Sequence, residues 1–128
     1  MDECEAPIHP AALQGLRLFN LGRYFEAHEA LEAAWRAESG PIRDLYRGIL
    51  QIGVVYLHIS RLNYDGAVKV YGRSLRWMRP WPETCQGIQV GQLRRDAEDV
   101  MAQVRRLGRD GLAAFDKRLL KPVLFNDE

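Results

Sequence analysis

The chain is short of cysteine and of long apolar runs. Only two of its 128 residues are cysteines, Cys4 and Cys85, which is too few for a disulfide framework or a paired-cysteine zinc site. No stretch approaches the roughly 18 consecutive apolar residues of a membrane span, and the acidic start lacks the basic and apolar segments of a secretory signal. We therefore predict a soluble protein of the reducing cytoplasm, with no membrane partner.

An excess of charge of one sign is also lacking. The formal net charge is +1, so the chain as a whole carries no strong field towards nucleic acid, and a nucleic-acid partner is disfavoured. Arginines cluster between Arg73 and Arg109, near Trp77 and Trp81, but acidic residues interleave with them, which is typical of a solvated helix face. The two tryptophans are interpreted as packing anchors or as part of a homodimer contact.

Motifs of nucleophilic and phosphate chemistry are missing too. The chain has no glycine-rich phosphate loop and no serine elbow, and the run from His28 to Glu32 lacks the second histidine of a zinc-protease helix. No cofactor is predicted. His9, which precedes the first helical pattern, is interpreted as a surface residue.

Helical periodicity is abundant by contrast. Apolar residues recur at intervals of three and four, which predicts helices over 10–20, 23–38, 42–62, 67–78 and 90–107, with a shorter segment at 112–120 and a polar end at 126–128. The third helix is apolar almost all round and is expected to be central. An echo at an offset of 40 residues aligns Tyr24 and Ala27 with Tyr64 and Ala67, as in tetratricopeptide pairs.

These patterns predict an all-α fold, a compact antiparallel bundle of two helical hairpins with a C-terminal helical extension. We expect one domain over 1–128, with a four-helix core at 10–79 and the extension at 80–128. The apolar tail at 119–125 fits either packing within the chain or a homodimer.

Ionisable side chains lie on a helix face that is expected to pack. At 100° per residue, Tyr24, His28, Leu31 and Trp35 share one stripe of the second helix, and Glu32 lies beside it. A buried polar group without a partner costs about 1–3 kcal/mol. Partners are therefore required for His28 and Glu32.

The third helix has side chains that meet this requirement. Arg47, Gln51 and His58 line one of its stripes, and we expect Arg47 to hold Glu32 in a bidentate pair and Gln51 to hydrogen-bond His28. The candidate site is thus a polar groove between helices two and three, formed by His28, Glu29, Glu32, Trp35, Arg47, Gln51, Tyr56 and His58.

Three interpretations of this groove stay open. It is a structural network that fixes helix register, or a site for a small anionic molecule or a partner segment, or a metal site built from His28, Glu32 and His58. We favour a non-catalytic small-ligand or protein-interaction module, with a metal-dependent hydrolase-like enzyme as the alternative, in which Glu29 or Glu32 is the base. The network predicts that Glu32→Ala destabilises the protein more than Glu26→Ala.

Two motifs also carry a family resemblance. The sequence H-E-x-x-E-x-x-W at 28–35, followed by Y-R-G-x-x-Q at 46–51, resembles the small helical family catalogued as domain of unknown function 309, over about residues 12–78. The resemblance implies an all-helical fold and an intracellular prokaryotic-type protein, and it brings no activity. The family's motif positions fall on His28, Glu29, Glu32, Trp35, Arg47 and Gln51.

Overall fold

The computed structural model describes residues 2–126. Five α-helices lie within this range: α1 (Pro10–Asn20), α2 (Tyr24–Ala37), α3 (Ile42–Ser60), α4 (Tyr64–Met78) and α5 (Val90–Gly111). A short antiparallel hairpin of β1 (Thr84–Cys85) and β2 (Ile88–Gln89) precedes α5, and 3-10 helices span Asp2–Glu5, Leu112–Ala114 and Lys117–Leu119. The all-α prediction is confirmed.

The third helix is the central one, as its apolar pattern predicts. It packs against α2 on one side and α4 on the other, while α1 packs against α2 and α5 against α4. Leu45, Tyr46, Ile49 and Tyr56 have no exposed surface at all. Any polar group that α3 carries towards its neighbours therefore enters a packed environment.

The two hairpins begin alike at the predicted offset of 40 residues. The second helix of each starts at a tyrosine, Tyr24 in α2 and Tyr64 in α4, three residues before a buried alanine. Helix α4 starts earlier than its apolar pattern predicts because the Asn63 side chain accepts a hydrogen bond from the Gly66 N–H at 3.0 Å and caps the helix.

The C-terminal part is less helical than predicted. Gln86 and Gly87 both have positive φ, 51° and 76°, which is the geometry of a two-residue hairpin turn, and they connect β1 to β2. The predicted segment at 112–120 forms two short 3-10 helices instead of one α-helix. Of the predicted polar end at 126–128, residues 127 and 128 lie outside the described part of the chain.

The two cysteines are paired, which no feature of the sequence had predicted. A disulfide joins Cys4 to Cys85, with their Cα atoms 4.3 Å apart, because the N-terminal 3-10 helix lies beside β1. Gln86 fixes the same contact, donating its backbone N–H to the Cys4 carbonyl at 2.8 Å and its side-chain amide to the Glu3 carbonyl at 2.9 Å. The two cysteines are 81 residues apart, so no local pattern announces their pairing.

His9 differs from its expected surface role, whereas Trp81 and the tail take one of the two roles left open for each. His9 is half-buried and caps α1, since its Nδ1 accepts from the Ala11 N–H at 3.0 Å. Trp81 is buried, and the tail packs on its own chain, where Val123 exchanges two hydrogen bonds with the Asn20 side chain. No helix between residues 2 and 126 combines the length and the apolarity needed to cross a bilayer.

Candidate functional site

Helix α2 presents His28 and Trp35 on one face, because they lie seven residues apart. The His28 side chain is 30% exposed, and its Nε2 lies 3.9 Å from an oxygen of Glu32, beyond hydrogen-bond distance. On its outer side the imidazole stacks on Phe25, with 6.2 Å between ring centroids. Its Nδ1 is buried and has no hydrogen-bond partner in the described chain.

Two ring contacts fix the register of α3 on α2. The Arg47 guanidinium lies 4.8 Å from the Trp35 ring centroid, and the rings of Tyr24 and Tyr56 are 5.7 Å apart. The helices are therefore antiparallel. Gln51, one turn after Arg47 on the same face, lies opposite the turn of α2 that carries His28. The proximity of Gln51 and His28 stays a prediction, and His28 Nδ1 and Gln51 Oε1 have no hydrogen-bond partner in the described chain.

The expected pair of Arg47 with Glu32 is not formed. Arg47 lies between two indoles, 4.8 Å from the Trp35 centroid and 4.3 Å from that of Trp77, which comes from α4. Glu32 instead turns outward to Arg36, one turn further along α2, at 3.7 Å. The face of an indole attracts a guanidinium, and the planar guanidinium can stack on it. The two tryptophans therefore take the place of the carboxylate as neighbours of Arg47.

Four buried polar atoms without a hydrogen-bond partner lie on these two facing helices. We call them the polar seam: His28 Nδ1, Trp35 Nε1, Gln51 Oε1 and Tyr56 OH. A fifth such atom among the described residues, Trp81 Nε1, lies outside α2 and α3. Burial raises the pKa of the Tyr56 phenol, so this hydroxyl keeps its proton.

The other predicted site residues lie outside the seam. Glu29 is exposed on α2. His58 lies in the last turn of α3, where its Nδ1 is 3.1 Å from the Asn63 side-chain nitrogen. Between residues 2 and 126 no three histidine, cysteine or acidic side chains are placed to hold a metal ion, so the set of His28, Glu32 and His58 is not brought together.

Three cavities of the described chain lie away from the seam. The first, about 250 Å³, lies between α4 and α5 and is bordered by Ser74, Arg79, Arg94 and Glu98. The others lie between the end of α3 and the C-terminal segment, and beside the disulfide. The four atoms of the seam are buried, so a ligand or partner would have to separate the side chains around them to reach them.

Sequence reasoning missed part of the surroundings of Arg47. Arg43 lies one turn before it and 5.7 Å from the Trp35 centroid, and Arg76 lies 4.8 Å from that of Trp77. The four-residue spacing of Arg43 and Arg47 is a visible signal for a shared face. No comparable signal connects Trp77 to Arg47, because their contact depends on how α4 packs on α3.

Comparisons with known proteins agree with the motifs. Residues 12–70, from α1 to the middle of α4, match the family model described as Domain of unknown function (DUF309), which confirms the resemblance. An "Uncharacterized protein" of Aquifex aeolicus (strain VF5) is 27% identical over 84 residues, which make up 65% of this chain and 25% of the relative. The match thus spans a quarter of that relative's length, and neither description carries an activity.

Proposed function

We propose that this chain is a non-catalytic binding module that holds a small ligand or a segment of a partner protein at the polar seam. The observation that carries the proposal is the concentration of four unpartnered buried polar atoms on two facing helices. Native proteins leave only a few such groups unpaired, and each costs about 1–3 kcal/mol. Their occurrence on two adjacent helices favours a role in binding.

The chemistry of the four groups indicates what they would hold. The indole of Trp35 only donates, the Gln51 oxygen only accepts, and the imidazole and the phenol can do either. An amide can pair with a neighbouring donor and acceptor of this kind, because it carries an acceptor and a donor side by side. A peptide bond or a small amide is therefore the ligand chemistry that fits the seam.

The alternative, a metal-dependent hydrolase, draws on His28, Glu32 and His58. No observation in the described chain favours it, because His58 is engaged with Asn63 at the end of α3 and His28 is not hydrogen-bonded to Glu32. Hydrolysis also needs a base and a bound water that meet at one point. A binding role requires only the donors and acceptors that the seam already has.

The experiment is a titration with N-methylacetamide, the smallest mimic of a peptide bond, followed by 15N-labelled NMR. The indole N–H signal of Trp35, identified by its loss in Trp35→Phe, should move saturably, as should the side-chain amide of Gln51. The indole signal of Trp81 is the internal reference, because its N–H is also buried and unpartnered but lies elsewhere.

A matched pair of variants completes the test. Gln51→Met keeps the volume and removes the acceptor, so it should fold normally and lose the saturable shift. Gln14→Met makes the same change at an exposed position of α1 and should keep it. A Trp35 signal that ignores the probe, or that responds equally in Gln51→Met, would show that the seam is a purely structural boundary.

Localisation and assembly stay predictions. We propose a cytoplasmic protein, and the Cys4–Cys85 disulfide is the observation against it, because disulfides are rare in most cytosols. Rapid alkylation of thiols in intact cells, followed by mass spectrometry, decides the point through the fraction of Cys4 that is alkylated. A homodimer also stays a prediction, but Trp81 and Val123 are buried within this chain and so are not exposed for contact with a second copy.

A further inference from the structure

Four arginines surround the two tryptophans at the end of the seam. We call this group the arginine–tryptophan cluster: Trp35 and Trp77 with Arg36, Arg43, Arg47 and Arg76. The distances from guanidinium carbon to ring centroid range from 4.3 Å for Arg47 over Trp77 to 6.0 Å for Arg36 over Trp35. The cluster unites side chains of α2, α3 and α4.

Most of its positive charge is not neutralised. Arg36 lies 3.7 Å from Glu32, whereas Arg43, Arg47 and Arg76 take part in none of the ion pairs of the described chain. Arg47 is half-buried, but no nitrogen of it is among the buried unpartnered atoms and none donates a hydrogen bond to the described chain, so each of them keeps some contact with solvent.

Stacking on an indole uses the face of a guanidinium and leaves its N–H edge free. That edge is a planar fork that matches the two oxygens of a carboxylate or phosphate. Arg47 contacts both rings, while Arg43, near Trp35, and Arg76, near Trp77, are exposed. We propose that the arginine–tryptophan cluster binds a small polyvalent oxyanion, with Arg47 as its fixed central donor.

The cluster suits a small anion better than single-stranded nucleic acid. Bases bind such surfaces by stacking on open aromatic faces. Here guanidinium groups already occupy the indoles, two of them on Trp77 and three around Trp35. A base would have to displace an arginine, whereas an oxyanion would add to the existing arrangement.

This inference goes beyond the proposed function and shares only Trp35 with the seam. The test is calorimetric titration with pyrophosphate and, separately, with citrate, at low ionic strength and again with added KCl. We expect saturable binding of at least one probe that weakens as salt rises. The two arms distinguish a phosphate source from a carboxylate source, and either result supports the site.

Matched double variants separate the cluster from general positive charge. Arg43→Gln/Arg76→Gln should weaken binding by about tenfold or more, because a charge-assisted hydrogen bond contributes about 1.5–3 kcal/mol. Arg106→Gln/Lys121→Gln removes the same charge from exposed positions outside the cluster and should change the affinity less than about twofold. Arg47→Lys keeps the charge without the fork and should also weaken binding.

Three results would overturn the inference. They are no saturable binding of either probe, an equal loss in the two double variants, or tighter binding of an eight-residue oligothymidylate than of pyrophosphate, which would make the surface a nucleic-acid site. Gln51→Met should bind the oxyanion normally. Failure of the seam and failure of the cluster are thus distinguishable.

Discussion

Tyr46 and Tyr56 lie ten residues apart on α3 and are both fully buried, yet their hydroxyl groups meet different surroundings. The Tyr46 hydroxyl accepts from the His9 backbone N–H at 3.0 Å and donates to the Gln86 side-chain oxygen at 2.6 Å. The Tyr56 hydroxyl has no partner in the described chain. One helix thus carries one satisfied and one unsatisfied buried phenol.

The difference separates buried polar groups that hold the fold together from buried polar groups that have no partner within the chain. Around Tyr46, segments far apart in sequence are tied together by hydrogen bonds and by the Cys4–Cys85 disulfide, and Glu3 accepts from the Ile42 N–H at the start of α3. We call this region the N-terminal corner. The polar groups there are bonded to one another and stabilise the fold. The Tyr56 hydroxyl and the Gln51 side-chain oxygen have no such partner, so they are free to bond to a ligand.

Breaking the covalent tie of the N-terminal corner should have the largest effect on stability. Cys4→Ser/Cys85→Ser opens a loop closed over 81 residues, and we expect the free energy of unfolding to fall by about 2–4 kcal/mol. Urea denaturation measures it. Treatment of the unmodified protein with dithiothreitol is the control and should give a similar loss. A loss below about 0.5 kcal/mol would contradict a structural role for the corner.

Removing one hydroxyl at each end of α3 compares the two regions directly. Tyr46→Phe leaves the His9 N–H and the Gln86 oxygen without their partner, so we expect a loss of about 1–3 kcal/mol. Tyr56→Phe removes a group that bonds to nothing, and stability should stay within about 0.5 kcal/mol or rise. Equal losses in urea denaturation would mean that the Tyr56 hydroxyl has a partner after all.

Periodicity was enough to predict the helices and the face of α2 that carries His28. It also led to the prediction, still untested, that Gln51 lies near this face, because a stripe of one helix can meet only a stripe of its neighbour. It gave the wrong neighbour for Arg47. A carboxylate on α2 and an indole on α4 both satisfy a guanidinium, and only the packing of three helices decides between them.

Contacts between segments far apart in the chain could not be predicted from the sequence, for a different reason. The pairing of Cys4 with Cys85 and the contact of His9 with Tyr46 join segments 81 and 37 residues apart. Nothing in the local sequence encodes such a meeting. The hairpin had only a partial local signal, Gly87 at the second turn position, because Gln86 is not a residue that turns with positive φ usually carry.

Alkaline pH should reveal the combined effect of the buried phenols on stability. Burial raises the pKa of Tyr56, and also those of Tyr24 and Tyr71, so the folded protein keeps these protons after the unfolded chain has begun to lose them near pH 10. The contribution of these phenols to the free energy of unfolding is therefore fully present below about pH 10 and is lost as the pH rises above it. Tyr56→Phe should reduce the fall measured by urea denaturation between pH 8 and pH 11. A fall that is unchanged in this variant would place the titration elsewhere.

The smallest expected effect on stability concerns Glu32, which was predicted from the sequence to pair with Arg47. Because Arg47 rests on two indoles and Glu32 contacts Arg36 at the surface, Glu32→Ala removes only a partly exposed pair, and we expect a loss of less than about 0.5 kcal/mol. Glu26→Ala, which removes an exposed pair with Arg23, should cost about the same. The expected greater cost of Glu32→Ala thus disappears with the contact on which it depended. A loss above 1 kcal/mol for Glu32→Ala alone would mean that its carboxylate reaches Arg47 in solution, and would make the arginine–tryptophan cluster another satisfied region like the N-terminal corner.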